Sequence, residues 1–262
     1  MTIVKHELKR NWKSLLIWSA ILGGMIFMFM LMFPAIKDQI GAMQEAYANM
    51  GSFTAMFGMD KINFTTAMGF YGIEAGAMIS LGGAMFAALT GAGALSKEEG
   101  NHTAEFLLTH PISRKQIVAE KLIFVALQVL CFNLFCFVCA LISFGIINEP
   151  LEMNKLLLFH FVQLIMQWEI ACICLCVSAF QKKANVGLGL GFSAILYFMN
   201  LFVNASEDAK FLKYITPFNY SDASEVFSTG HLDGVLIGIG CAIAVAGVVV
   251  AFVKYCKKDI NA

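Results

Sequence analysis

The chain has 262 residues, 59% of them hydrophobic and 14% charged, a mean hydropathy of +0.73, and 18 Lys and Arg against 18 Asp and Glu. Such a chain is too oily for an ordinary soluble domain and has no basic surface for nucleic acid, so it belongs in a lipid bilayer.

A helix needs roughly 20 apolar residues to cross the hydrocarbon. Six runs meet that length in chain order, at about 15–36, 72–95, 122–147, 156–180, 186–203 and 235–255. None alternates with the period of a barrel strand, and backbone amides in lipid must pair within their own segment, which predicts an all-α, polytopic membrane bundle of six helices. The polar stretches between the runs are too short to support a core of their own, so 1–262 reads as a single transmembrane domain. The first run is too long for a signal peptide and lacks a small-residue cleavage site, so it is expected to be a retained span.

Orientation follows from the basic residues. With an inside amino terminus, thirteen of the eighteen Lys and Arg fall on the cytoplasmic side, among them Lys5, Lys9, Arg10, Lys13, Lys97, Arg114, Lys115 and Lys121. Both termini are predicted to be cytoplasmic. Residues 37–70 on the other side mix Met43, Met50, Met56 and Met59 with Phe53 and Phe57, which is too apolar for a free loop. Short interfacial helices are expected there, with an adaptable Met-rich surface suited to lipophilic or amphipathic ligands, or a cap that merely seals the exit.

Small residues at Gly72 and Gly76, and again at Gly234 and Gly238, have the G-x-x-x-G spacing that lets helices approach closely. Internal packing is the simpler reading of both pairs, with a dimer seam as the alternative. The segment 96–121, SKEEGNHTAEFLLTHPISRKQIVAEK, is a charged stretch between two apolar runs. Ser96 followed by Glu99 has the spacing of a capping box, and Glu98 and Glu99 suit a helix amino end. The predicted helix carries Glu98, His102, Glu105 and Thr109 on one face, with Ala104, Leu107 and Leu108 on another and Phe106 at the flank. Pro111 ends it, and Ser113 with Gln116 forms a second capping box that opens the next span. A helix, an elbow and a helix result, either resting on lipid headgroups or offering a dock to a soluble partner.

Six of the eight cysteines, at 131, 136, 139, 172, 174 and 176, lie inside the predicted spans, which argues against a disulfide framework and for apolar packing. Cys136 with Cys139, and Cys172 with Cys176, share helix faces, so a metal site is the sharper alternative, unsupported by any His or acid cluster. The fourth span carries most of the intramembrane polar groups: His160, Gln163 and Gln167 form one stripe, and Glu169 points elsewhere. The stripe is read as interhelical hydrogen bonding or as the lining of a substrate path. No phosphate-binding G-x-x-x-x-G-K-[ST] loop occurs. Gly187, Gly189 and Gly191 imitate one only superficially, and no HExxH or GxSxG pattern suggests an enzyme.

Glu98-Glu99, then Thr103-Ala104-Glu105-Phe106-Leu107-Leu108, then Pro111-Ile112-Ser113-Arg114 and Lys121 resemble the cytoplasmic loop between spans two and three of ABC-2 type transporter permeases. Weaker likenesses extend to Gly69-Phe70 and to Thr216-Pro217-Phe218. One departure is His102, where members of that family often have Gly, which suggests that the bend shifts to Gly100-Asn101. The resemblance implies an ABC-2 permease fold whose Glu98–Leu108 segment is a coupling helix, with Pro111, Ser113 and Arg114 in the coupling element. It also implies a dimer with an identical or related permease through spans one and five, and a separate ABC ATP-binding subunit that holds ATP and Mg, since this chain binds no cofactor itself. The substrate would move outward across the plasma membrane, in a bacterial setting. The rival reading is an ion-coupled secondary transporter with Glu169 as its proton-linked group.

Overall fold

The computed structural model describes residues 2–48, 50–103 and 112–258, with side chains for all of these except 42–48. The helices are α1 (Thr2–Ala48), α2 (Ser52–Met56), α3 (Ala67–Ala92), α4 (Lys97–Gly100), α5 (Arg114–Ile147), α6 (Met153–Phe180), α7 (Val186–Ala205), α8 (Ala223–Thr229) and α9 (Gly234–Lys257). A 3₁₀ segment, Glu207–Tyr214, follows α7. Six of these helices, α1, α3, α5, α6, α7 and α9, are long and apolar enough to span a bilayer, as the runs of the sequence require.

Helices α3 and α6 form the centre. α1 packs chiefly on α5, while α3 lies on α6 and α7, and α9 closes against α6. The core between them is aromatic: Tyr71 sits within ring-contact distance of Phe144, Phe159 and Phe227, and Phe86 packs on Phe132 with centroids 4.9 Å apart. In lipid there is little hydrophobic drive between helices, so shape complementarity must hold such a bundle together. Gly83 shows how: a methyl group there would lie 2.3 Å from the Gln167 amide, so the missing side chain is what lets α6 carry a polar group against α3. Gly72 and Gly76 serve the same purpose for the small helix α8, seating Phe227 and Ala223. Gly234 and Gly238 depart from the internal-packing expectation, since nothing described in this chain lies within 4 Å of where their side chains would be.

Two elements differ from the pattern the sequence suggests. The helix of the first span begins at Thr2 and runs on to Ala48, continuing through Pro34, so the basic amino-terminal stretch and the start of the Met-rich segment are its extensions. Only α2 remains as a separate short helix before α3, with Phe53 and Phe57 exposed and stacked edge to face. Inside α3, residues Tyr71–Ala75 form a π-helical turn. Such a turn inserts one extra residue and re-phases the helix, a device found often at functional sites. All eight cysteines are free thiols, and no cluster of three or more His, Cys, Asp or Glu gathers among the described residues.

Candidate functional site

At the end of the bundle that holds both termini, the segment after α3 is tied down from several sides. Ser96 does not cap the helix that follows it. Its hydroxyl donates back to the Ala92 carbonyl (3.2 Å), and the amides of Leu95 and Ser96 donate to the Ser178 hydroxyl of α6 at 3.1 and 3.0 Å. The expected first capping box does not form, and the fully buried Ser178 takes the Leu95 and Ser96 amides instead.

The described part of the predicted helix is one short turn, and the rest of it, from residue 104, lies outside the described residues. The turn stops after Gly100, where the His102 amide donates to the Glu99 carbonyl and the Thr103 amide to the Glu98 carbonyl (3.2 and 2.9 Å). This pair of bonds is a Schellman closure with His102 at its left-handed position, φ 55°. The bend therefore stays at His102 rather than shifting to Gly100-Asn101. Position 102 is where the ABC-2 resemblance often has Gly, a residue that adopts this conformation without strain from a Cβ. Of the proposed coupling residues, Glu105, Phe106, Leu107, Leu108 and Pro111 lie outside the described residues. Beyond them Ser113 caps α5 by accepting the Gln116 amide (3.2 Å), but the Gln116 side chain bonds Glu120 instead of returning to Ser113. Half of the second capping box is formed.

The acids and Arg114 are engaged internally. Lys121, 1% exposed, places its ammonium 2.8 Å from Glu7 of α1 and in a shorter contact with Glu98. Lys97 adds a longer contact to Glu7 (3.9 Å) and donates to Asn11. Burial outweighs the attraction of Glu7 and holds the Lys97 ammonium below its usual range, with Arg10 and Lys121 acting in the same direction as burial. Glu120 accepts the first amides of α1, from Ile3 (2.8 Å) and Val4 (3.2 Å). Glu99 pairs with Lys258 at 2.6 Å, and Arg114 donates to the carbonyls of Cys256 and Lys258. The described parts of the 96–114 segment are thus fastened to α1, α5, α6 and the end of α9. The Glu98 Oε2 and Glu99 Oε1 atoms are buried without a partner among the described residues.

Within the bundle the polar stripe of α6 is joined to its neighbours. The Tyr71 hydroxyl lies 2.8 Å from His160 Nε2, His160 Nδ1 lies 3.2 Å from the Asn133 carbonyl oxygen, and the Asn133 amide donates to Gln167 (3.1 Å). Gln163 donates to Ser80 (2.6 Å) and to the Ser221 carbonyl (2.9 Å). Each of these groups is about 5% exposed or less, apart from Ser80 at 7%. Such a chain of bonds fixes the spacing of α3, α5 and α6. These contacts are interhelical hydrogen bonds, while Gln163 Oε1 and Gln167 Nε2 are buried without a partner among the described residues. Glu169 faces away from the stripe, accepts the Tyr220 hydroxyl (2.6 Å), and fits because Gly240 has no side chain: a methyl there would lie 2.2 Å from its carboxylate. Tyr71, Asn133 and Glu7 were not signalled by the sequence. The π-turn that carries Tyr71 and the lone Asn in an apolar run at 133 are the only local hints.

These features meet an independent finding. The family described as ABC-2 family transporter protein matches the chain over residues 1–260. A comparison with curated proteins finds no match. Covering nearly every residue, the family match shows that the chain belongs to the ABC-2 transporter family and is a multi-pass membrane protein of that kind.

Proposed function

We propose that this ABC-2 family protein is the permease half of an ATP-driven exporter, docked to a separate ATP-binding subunit through the segment 96–114 and energised by it. The observation that carries the reading is the anchoring of that segment. Glu98 binds α5, Glu99 and Arg114 bind the end of α9, and Lys97 reaches α1, so a push on the intervening residues reaches several spans at once. A loop resting passively on headgroups needs no such ion pairs, because water and lipid solvate its charges. The anchored end is assigned to the cytoplasm, with both termini, in keeping with its basic residues.

A second permease copy, identical or related, completes the assembly. The windows of α1, α7 and α9 are the least buried of the six, with apolar side chains such as Ile17, Ile21, Ile195 and Phe198 turned outward to lipid or to a partner. The exposed Met50, Phe53 and Phe57 at the opposite end suit a lipophilic or amphipathic cargo. ATP and Mg belong to the partner subunit, and this chain performs no chemistry of its own.

The test is copurification followed by transport in proteoliposomes. An ATP-binding subunit is expected to copurify, export is expected to need ATP, and Glu105→Arg or Phe106→Ala is expected to release the subunit. Export that survives ATP depletion, stops when the proton gradient collapses and is lost in Glu169→Gln would replace this reading with an ion-coupled carrier.

A further inference from the structure

The end of the bundle opposite the termini holds a cavity of about 50 Å³ between α3, α7 and the turn before α8. Asn200, 5% exposed, lines it. Its amide nitrogen donates to Asp222 Oδ2 (3.3 Å), and because a carboxylate only accepts, that contact fixes which way the amide faces. The Asn200 Oδ1 atom is therefore held as an acceptor, and it is buried with no partner among the described residues. An acceptor left open inside a membrane protein is costly unless something donates to it.

Asp222 lies beside it. Its oxygens take four hydrogen bonds, from the Ser224 amide and hydroxyl, Asn200 and Asn204, yet no Lys or Arg among the described residues forms an ion pair with it. The site thus combines an orphan acceptor, a carboxylate that no Lys or Arg among the described residues touches, with Lys61 acting on it only from farther off, and walls that include Phe57, Ile73 and Phe218. Asn204 and Asp222 also line a larger bowl of about 580 Å³ above the cavity, where Asp60, Glu207, Glu225 and Asp233 outnumber Lys61, Lys210 and Lys213. Such a field concentrates cations at the mouth.

We infer that this cavity is a binding site for a primary ammonium group on an alkyl stem. The ammonium has three N–H donors for Asn200 Oδ1 and neighbouring oxygens, its charge offsets Asp222, and its stem meets the apolar walls. A hard metal ion fits less well, since the one carboxylate present is already bonded on both oxygens and several further oxygens would be needed to replace a hydration shell. A tetraalkylammonium has no N–H to give to the orphan acceptor. The inference goes beyond the permease reading and does not depend on the source of energy or the direction of transport.

The test uses the full-length protein in lipid nanodiscs, titrated with n-butylammonium chloride at constant ionic strength while thermal unfolding is followed. A saturable rise in melting temperature is expected with n-butylammonium but not with tetramethylammonium, sodium or n-butanol. Asn200→Leu, which removes the acceptor, is expected to weaken the effect at least tenfold. Ala77→Leu, which fills the cavity from α3 and leaves Asn200 in place, is expected to do the same and serves if the first variant fails to fold. An equal shift with sodium, an equal shift with n-butanol, no shift at all because the cavity holds only water, or a shift unchanged in both variants would each overturn the inference.

Discussion

The two ends of the bundle handle charge in opposite ways. At the terminal end Lys121 is 1% exposed and bridges two acids from different helices, while at the other end Lys61 and Glu225 meet with side chains 40% and 52% exposed. A buried pair is held by its geometry, because either partner left alone would be an unsolvated charge. An exposed pair is solvated with or without its partner. The first arrangement ties three elements of the chain together, and the second leaves each partner solvated on its own.

The largest effect is expected from Lys121→Met, which strands Glu98 and leaves Glu7 only the longer Lys97 contact and Asn11, and should cost about 3–5 kcal/mol, read as a lower unfolding midpoint and poor yield in detergent. Adding Glu7→Leu and Glu98→Leu should recover most of that loss while still uncoupling ATP hydrolysis from transport. Stability without coupling would confirm that the ion cluster transmits force, whereas normal coupling in the triple variant would remove the basis of the comparison. Next, Asn133→Leu breaks the link between His160 and Gln167. In a bilayer interior a loss of about 1–2 kcal/mol is expected, measured by denaturant unfolding of the reconstituted protein.

His102→Gly works in the opposite direction. Relieving a left-handed residue at an exposed Schellman position should stabilise by about 1 kcal/mol, visible as a small rise in melting temperature, and no change would mean that the strain is carried elsewhere. The smallest effect is expected from Lys61→Ala at the exposed end, within about 0.5 kcal/mol. A cost comparable to that of Lys121→Met would erase the contrast between the two ends.

Much of the loop was legible as local chemistry and wrong in its partners. Ser113 caps α5 as its spacing predicts, because an N-cap bond closes within three residues. Ser96 has the same spacing, yet its backbone stays helical and its hydroxyl turns back to the Ala92 carbonyl, while Ser178, 82 residues away, takes its amide. His102, at φ 55°, turns the chain at the end of Lys97–Gly100, whose acids are held by Lys121 and Lys258 from elsewhere in the chain.

Within the membrane, the polar stripe of α6 was visible as a period, but its meaning was not. Periodicity says that His160, Gln163 and Gln167 share a face. It is silent on whether water, substrate or another helix meets them. The structure adds Tyr71, Ser80 and Asn133 as hydrogen-bond partners, and they lie on α3 and α5, far from the stripe in sequence.

The sequence alone determined the number of spans, their helical nature and the crowding of basic residues at one end, because hydrophobic length and backbone pairing in lipid are properties of each segment by itself. Only the tertiary structure decided which buried polar groups are satisfied and which are left open. Glu120 finds the amides of α1 across 117 residues of chain, Lys121 finds Glu7 across 114, and Asn200 keeps an oxygen that nothing among the described residues reaches. Hydrogen bonds and ion pairs act over a few ångströms, so their partners are set by how the helices pack.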